Sequence, residues 1–103
     1  RKLILRYIIE EDTIKAETYL KNEYLYENVK ILNTADMNAA LTDSNVHICI
    51  ICTPTYTHES LVKSSINHGK HTFCEKPLAE TYEKIRECYD LAAKLGVRIF
   101  CAF

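Results

Sequence analysis

The stretch VHICIICTPTYTHESLVKSSINHGKHTFCEKP, Val46 to Pro77, decides how this chain folds. Val46 to Cys52 is a nearly unbroken apolar, β-branched run ended by Thr53-Pro54, the pattern of a strand buried on both faces of a parallel sheet. Thr57 is expected to cap a helix whose apolar side is Leu61, Val62, Ser65 and Ile66. Glu59 is favourable in its first turn, and Gly69 can take the left-handed position past its end. His58 then stands at the helix start. His71 to Cys74 reads as a second short strand. A strand, helix, strand unit pairs its strands in parallel, so Thr53-Pro54 and Glu75-Lys76-Pro77 leave the sheet at one edge. Open α/β sheets bind their ligands there.

Thr53-Pro54 with His58, followed after the next strand by Glu75-Lys76-Pro77, resembles the Gfo/Idh/MocA oxidoreductase family. The text from Ile51 to Phe103, including CTPTYTHE, GKHTFCEKPL and ECYDLAAKLG, is similar to the animal members described as inositol 2-dehydrogenase-like. The resemblance implies an NAD(P)-binding Rossmann domain followed by an α/β substrate domain. Residues 1–103 are expected to hold part of the first and none of the second. It also implies that Lys76 acts with an Asp and a His of the substrate domain while hydride passes between a sugar or cyclitol carbon and the nicotinamide. A cis bond before Pro77 is implied as well.

Upstream, LILRYII from Leu3 to Ile9 reads as a strand, followed by the acidic run Glu10, Glu11, Asp12. In a dinucleotide fold, a carboxylate at the end of the second strand accepts hydrogen bonds from the adenosine ribose and repels a 2′-phosphate. Glu10 is the candidate for that role, although the family usually has Asp there. The plainer alternative is that the three acids serve the amino end of the next helix, with Asp12 as its cap. That helix is expected from Thr13 to about Tyr26, with Ala16, Tyr19, Leu20 and Glu23 to Tyr24 on its buried stripe. Val29 to Leu32 reads as a short strand, Asn33 to Asp36 as a capping turn and Met37 to Leu41 as a short helix. His47 reads as a solvated residue at the start of the central strand. Downstream, Thr81 is expected to cap a helix to Leu95, with Ile85, Cys88, Tyr89 and Ala92 inward and Gly96 closing it, before a last strand from Val97 to Phe103.

The pattern is therefore α/β, a partial doubly wound, Rossmann-like parallel sheet. With only two glycines and no G-x-G-x-x-G, it lacks the first strand and the glycine-rich phosphate loop. In the usual order that strand lies between Leu3 to Ile9 and Val46 to Cys52, and without it a gap of about 9 to 10 Å would separate them. Residues 1–103 alone are expected to turn over no substrate, to bind NAD weakly and to self-associate as a homo-oligomer through sheet edges.

A length of 103 residues, a formal net charge of −1 and 48% hydrophobic residues describe one small domain without a nucleic-acid footprint. Five cysteines, mostly inside apolar patterns, suit reduced thiols in a cytoplasmic protein. No apolar run approaches the roughly eighteen residues of a membrane span, and no secretory h-region is expected from these residues. His68, His71 and Cys74, and Cys49 with Cys52, offer metal donors. Residues three apart in a strand face opposite sides, so no metal is expected.

Lys76 is the candidate catalytic residue, placed to exchange a proton with a substrate hydroxyl. Glu75 can orient Lys76 or meet the nicotinamide ribose, and Pro77 fixes the backbone of their loop. Thr53, Pro54 and the backbone after Cys52 would line the cofactor. His58 would either bond near the cofactor or satisfy local backbone groups. The function expected is that of an NAD-dependent dehydrogenase, with NAD preferred to NADP and a small polyol or sugar as substrate. The alternative of another class is a truncated, non-catalytic interaction or oligomerisation module.

Overall fold

The computed structural model describes residues 3–21 and 28–102. The chain divides into two compact units, Arg1–Asp43 and Ser44–Phe103. Its strands form two separate parallel sheets, in line with the α/β expectation.

In the first unit, β1 (Tyr7–Ile9) pairs in parallel with β2 (Lys30–Leu32), Ile8 opposite Ile31. The strand expected from Leu3 is shorter than its apolar text. β1 has one ladder partner, itself three residues long, and Leu3 and Ile4 stand 85% and 78% exposed. Helix α1 (Thr13–Leu20) starts where the acidic run predicts, with Asp12 Oδ1 accepting from Lys15 N at 3.0 Å. Thr13, Ala16 and Leu20 are its half-buried side, whereas Tyr19, expected on the stripe, is exposed. Glu23, Tyr24 and the expected helix end lie outside the described residues. After β2, Asn33 Oδ1 accepts from Ala35 N at 3.0 Å and caps a single 3-10 turn, Thr34–Asp36, that runs into α2 (Asn38–Leu41). Asp43 closes the unit, accepting from the Tyr7 hydroxyl at 2.7 Å with Arg6 Nε at 3.7 Å.

In the second unit β3 (Ile48–Ile51), β4 (His71–Cys74) and β5 (Ile99–Cys101) lie side by side, all parallel. Helix α3 (His58–Asn67) joins β3 to β4, and α4 (Tyr82–Leu95) precedes β5. Their apolar sides meet the sheet on one face. Val62 and Ile66 of α3, Cys88 and Ala92 of α4, and Ile51, Cys74 and Ile99 of the strands form the core, with Leu78 beneath the loop after β4. Within this core the Ser65 and Thr72 hydroxyls meet at 2.6 Å, and Thr72 Oγ1 also donates to Lys70 O at 3.5 Å, so both hydroxyls between α3 and β4 have partners.

The expectation of a strand buried on both faces is corrected. Alternate residues of β3 point away from the helices, and Ile48 and Ile50 are 45% and 65% exposed. Ile50, Phe73 and Phe100 stand in register across the three strands and make an apolar row on the uncovered face. A β-branched run records that both faces are apolar; which face is covered depends on helices elsewhere in the chain.

The ends of α4 match the sequence. Thr81 Oγ1 accepts from Lys84 N at 3.3 Å, and Gly96 takes φ 72° and ψ 24° just past Leu95. Tyr89, expected inward, is 42% exposed, and Leu91 packs on the core instead. Lys63 joins the two helices, bonding Glu59 at 3.0 Å and Glu87 at 3.3 Å, and Lys84 lies 3.6 Å from Glu59. The bond from Lys63 holds the Glu59 carboxyl below its usual range. All four groups are solvated, so the core rather than these pairs carries the stability.

Ile66 is fully buried between α3 and the sheet. Ile66→Ala is expected to cost about 2 to 5 kcal/mol. It should appear as a lower urea midpoint at unchanged slope, and a midpoint equal to wild type would show that α3 is not held by this contact.

Candidate functional site

The two loops singled out by the sequence leave neighbouring strands at one edge. Ile51 of β3 is in register with Cys74 of β4, and the next bond of the ladder, Glu75 N to Ile51 O at 3.0 Å, carries the pairing to the first residue of the second loop. Cys52, Thr53 and Pro54 therefore emerge beside Glu75, Lys76 and Pro77, and all six are exposed. Leu78 and Ala79 turn back into the protein at 2% and 3% exposure and anchor the second loop from below. The Lys76–Pro77 peptide is cis, as the resemblance implies.

The first loop is built differently from the expectation. Thr57 does not cap α3 with its side chain. Pro54 instead opens a 3-10 turn, Thr55–Thr57, that runs directly into the helix, with Thr57 N donating to Pro54 O at 2.9 Å. Because Thr57 is already helical, its hydroxyl cannot reach forward to the helix amides and turns back. It donates to Pro54 O at 2.6 Å and meets Thr53 Oγ1 at 2.6 Å. The hydroxyls of Thr53 and Thr57 thus brace the turn from within, a role that the spacing of two threonines four apart across Pro54 could have suggested.

His58 joins the two loops. It is buried, with Nδ1 2.7 Å from Pro77 O and Nε2 2.8 Å from Thr53 O. Both ring nitrogens are occupied by backbone, so the reading in which this ring satisfies backbone groups describes its surroundings, with one partner nineteen residues away in the second loop.

Glu10 belongs to the first unit, exposed at the end of β1, with its N–H donating to Leu32 O at 3.0 Å. Its Oε1 accepts from Asp12 N at 3.4 Å. The amino end of α1 is capped by Asp12, so the two acids have separate local roles.

Four cysteines cluster around the edge and the core below it. Burial pushes the Cys74 thiol up to about 11, and neighbouring Cys101, Cys52 and Cys88 add to the shift. Burial also pushes Cys88 up. Among the described residues no group of three or more His, Cys, Asp or Glu side chains is arranged to hold a metal. No described helix is long and apolar enough to cross a membrane.

Residues 4–103 match the family described as an oxidoreductase family with an NAD-binding Rossmann fold. An inositol 2-dehydrogenase from Paracoccus denitrificans is 38% identical over 64 residues, 62% of this chain and 19% of that protein. The levoglucosan dehydrogenase of Pseudarthrobacter phenanthrenivorans is 29% identical over 101 residues, 98% of this chain and 25% of that protein. Among solved structures, GenD2 from gentamicin A biosynthesis in complex with NAD superposes with a TM-score of 0.81 at 26% identity, covering 95% of this chain and 26% of that one. The chain spans between about a fifth and a quarter of the length of these relatives.

The thiols differ in access. Cys52 is exposed at the open edge, whereas Cys74 and Cys88 are fully buried with raised thiols. A short pulse of iodoacetamide on the native protein should label Cys52 and spare Cys74 and Cys88 until denaturant is added. Labelling of Cys74 as fast as Cys52, read by peptide mass spectrometry, would contradict the packing of β4.

Proposed function

The chain belongs to the Gfo/Idh/MocA oxidoreductase family, with its NAD-binding Rossmann fold, and on that premise we propose that residues 1–103 are part of the cofactor domain of an NAD-dependent dehydrogenase. Its substrate class is a cyclitol or sugar, oxidised at a hydroxyl-bearing carbon. One observation carries the reading: the Thr53-Pro54 and Glu75-Lys76-Pro77 loops stand exposed side by side at the carboxyl ends of adjacent parallel strands, where such sheets bind dinucleotides. Relatives whose names specify inositol and levoglucosan as substrates support the substrate class.

The exposed residues fit a dinucleotide. Thr53, Pro54 and the backbone after Cys52 would line one side of the cofactor, with Glu75 and Pro77 on the other. NAD, when bound, supplies the hydride acceptor. Lys76 takes the proton of the substrate hydroxyl as that oxygen becomes a carbonyl, and returns it in the reverse direction. The loop holding Lys76 is fixed at both ends, by the Glu75 ladder bond and by buried Leu78, so its side chain is presented from a rigid base. Glu10 would accept from the adenosine ribose hydroxyls of a bound NAD and disfavour a 2′-phosphate by like-charge repulsion. Substrate recognition and the groups that work with Lys76 fall to a separate domain.

A screen of cyclitols and sugars with the complete protein and NAD, followed by NADH absorbance, tests the reading. Reduction of NAD by a member of that class is expected, and its absence across the class with bound NAD would overturn the substrate assignment. Lys76→Ala should lower turnover by about two orders of magnitude or more while NAD affinity holds. Wild-type turnover in the variant would remove Lys76 from the chemistry. The complete enzyme should also show a higher kcat/KM with NAD than with NADP. The opposite preference would mean that a residue other than Glu10 decides between them.

A further inference from the structure

His58 is the one described titratable side chain that is both buried, at 1% exposure, and bonded to the two exposed loops. Its partners are the carbonyl oxygens of Pro77 at 2.7 Å and Thr53 at 2.8 Å. A carbonyl only accepts. A neutral imidazole carries a single N–H, so it can satisfy one of these oxygens while turning a lone pair toward the other. A ring protonated at both nitrogens donates to both. The charged side chains on the surrounding elements are engaged or turned outward. Glu59 and Lys63 of α3 and Lys84 of α4 bond one another, and Glu75 and Lys76 stand on the exposed side of their loop.

We propose that His58 is a positioning residue that donates from both ring nitrogens and pins the backbone of Thr53 to that of Pro77, setting the separation between the cofactor-lining first loop and Lys76. The proposal rests on reading the two loops as the cofactor edge and adds to it the part that holds them in register. β-Ladder bonds stop at Glu75 and Ile51, so beyond the strands each loop has its own anchor: the Thr53–Thr57 hydroxyl pair for the first, Leu78 and Ala79 for the second. Neither anchor ties one loop to the other. The imidazole does, with a donor at each end of a rigid ring and no exposed atoms to spare. An amide in its place has its donors on one nitrogen and its acceptor on the other arm, so it would serve one carbonyl and repel the second.

The first test needs no variant. In the complete protein labelled with ¹⁵N-histidine, both ring nitrogens of His58 should give the shifts and one-bond couplings of nitrogens that carry a donated proton. A lone-pair shift at either nitrogen would overturn the proposal. The second test uses His58→Gln and His58→Ala, first checked for wild-type far-UV dichroism. Losing one partner of a buried hydrogen bond is expected to weaken NAD binding about tenfold in calorimetric titration, and KM for NAD should rise with it. Lys76→Ala provides the contrast, with turnover lost and NAD affinity kept. If wild type binds NAD and both folded His58 variants bind it equally well, the positioning role fails while the reading of the site stands. If wild type does not bind NAD, the reading of the site fails, and the ring spectrum still decides how His58 bonds.

Discussion

The pairing of β3 with β4 is the constraint on which the rest of the second unit depends. Two strands joined by a helix of ten residues can share a ladder only in parallel, and parallel pairing brings both carboxyl ends to one edge. Thr53, Pro54, Glu75, Lys76 and Pro77 all stand on the few residues just past those ends. The pairing itself is held by the contacts of Val62 and Ile66 with Ile51 and Cys74. Burial of an aliphatic side chain contributes about 1.5 to 3 kcal/mol, while the lysine, threonines and glutamate at the edge sit in water. The core thus reaches the last residues of both strands, Ile51 and Cys74, and the exposed loops begin at the next residue of each.

Much of this could be read from the residues. Thr81 and Gly96 delimit α4 because a β-region residue with a hydroxyl and a left-handed glycine are local requirements, met by local sequence. Asn33 and Asp12 are caps for the same reason. Thr57 misled because a hydroxyl beside a helix start is also what a 3-10 turn uses to brace itself, and which occurs depends on the turn dictated by Pro54. Leu3 to Leu5 carried strand propensity without a described strand to pair with, and the ladder reaches back only to Arg6 O, which accepts from Lys30 N. The site followed the same rule. Proximity of the two loops came from topology and was legible. The ring of His58 between Thr53 and Pro77 was not, since its second partner lies beyond β4 and only the register brings it within reach.

The uncovered row of Ile50, Phe73 and Phe100 shows what composition alone conceals. The inward residues of the same strands are smaller and softer: Cys49, Thr72, Cys74, Cys101 alongside Ile51 and Ile99. Two helices pack on a sheet face where Ile51 and Ile99 alternate with small side chains, while both phenylalanines of the strands are on the other side. Hydrophobicity averaged over a strand assigns the two faces equal weight. Volume distinguishes them, because close helix packing favours small side chains where backbones approach.

The all-parallel pairing has a kinetic side. No strand of either sheet can be paired with the next by a tight turn, and each ladder forms only after an intervening stretch has been looped out. Hairpins offer a growing sheet a local nucleus; this chain has none among its described strands. The order of events is thereby restricted: α3 and α4, with their local bonds and, in α4, caps at both ends, can form transiently on their own, but the sheet must wait for them to collapse onto one another before its strands are close enough to zip. Folding speed should accordingly be governed by the meeting of helices rather than by the strands, although it is the strands that carry the loops.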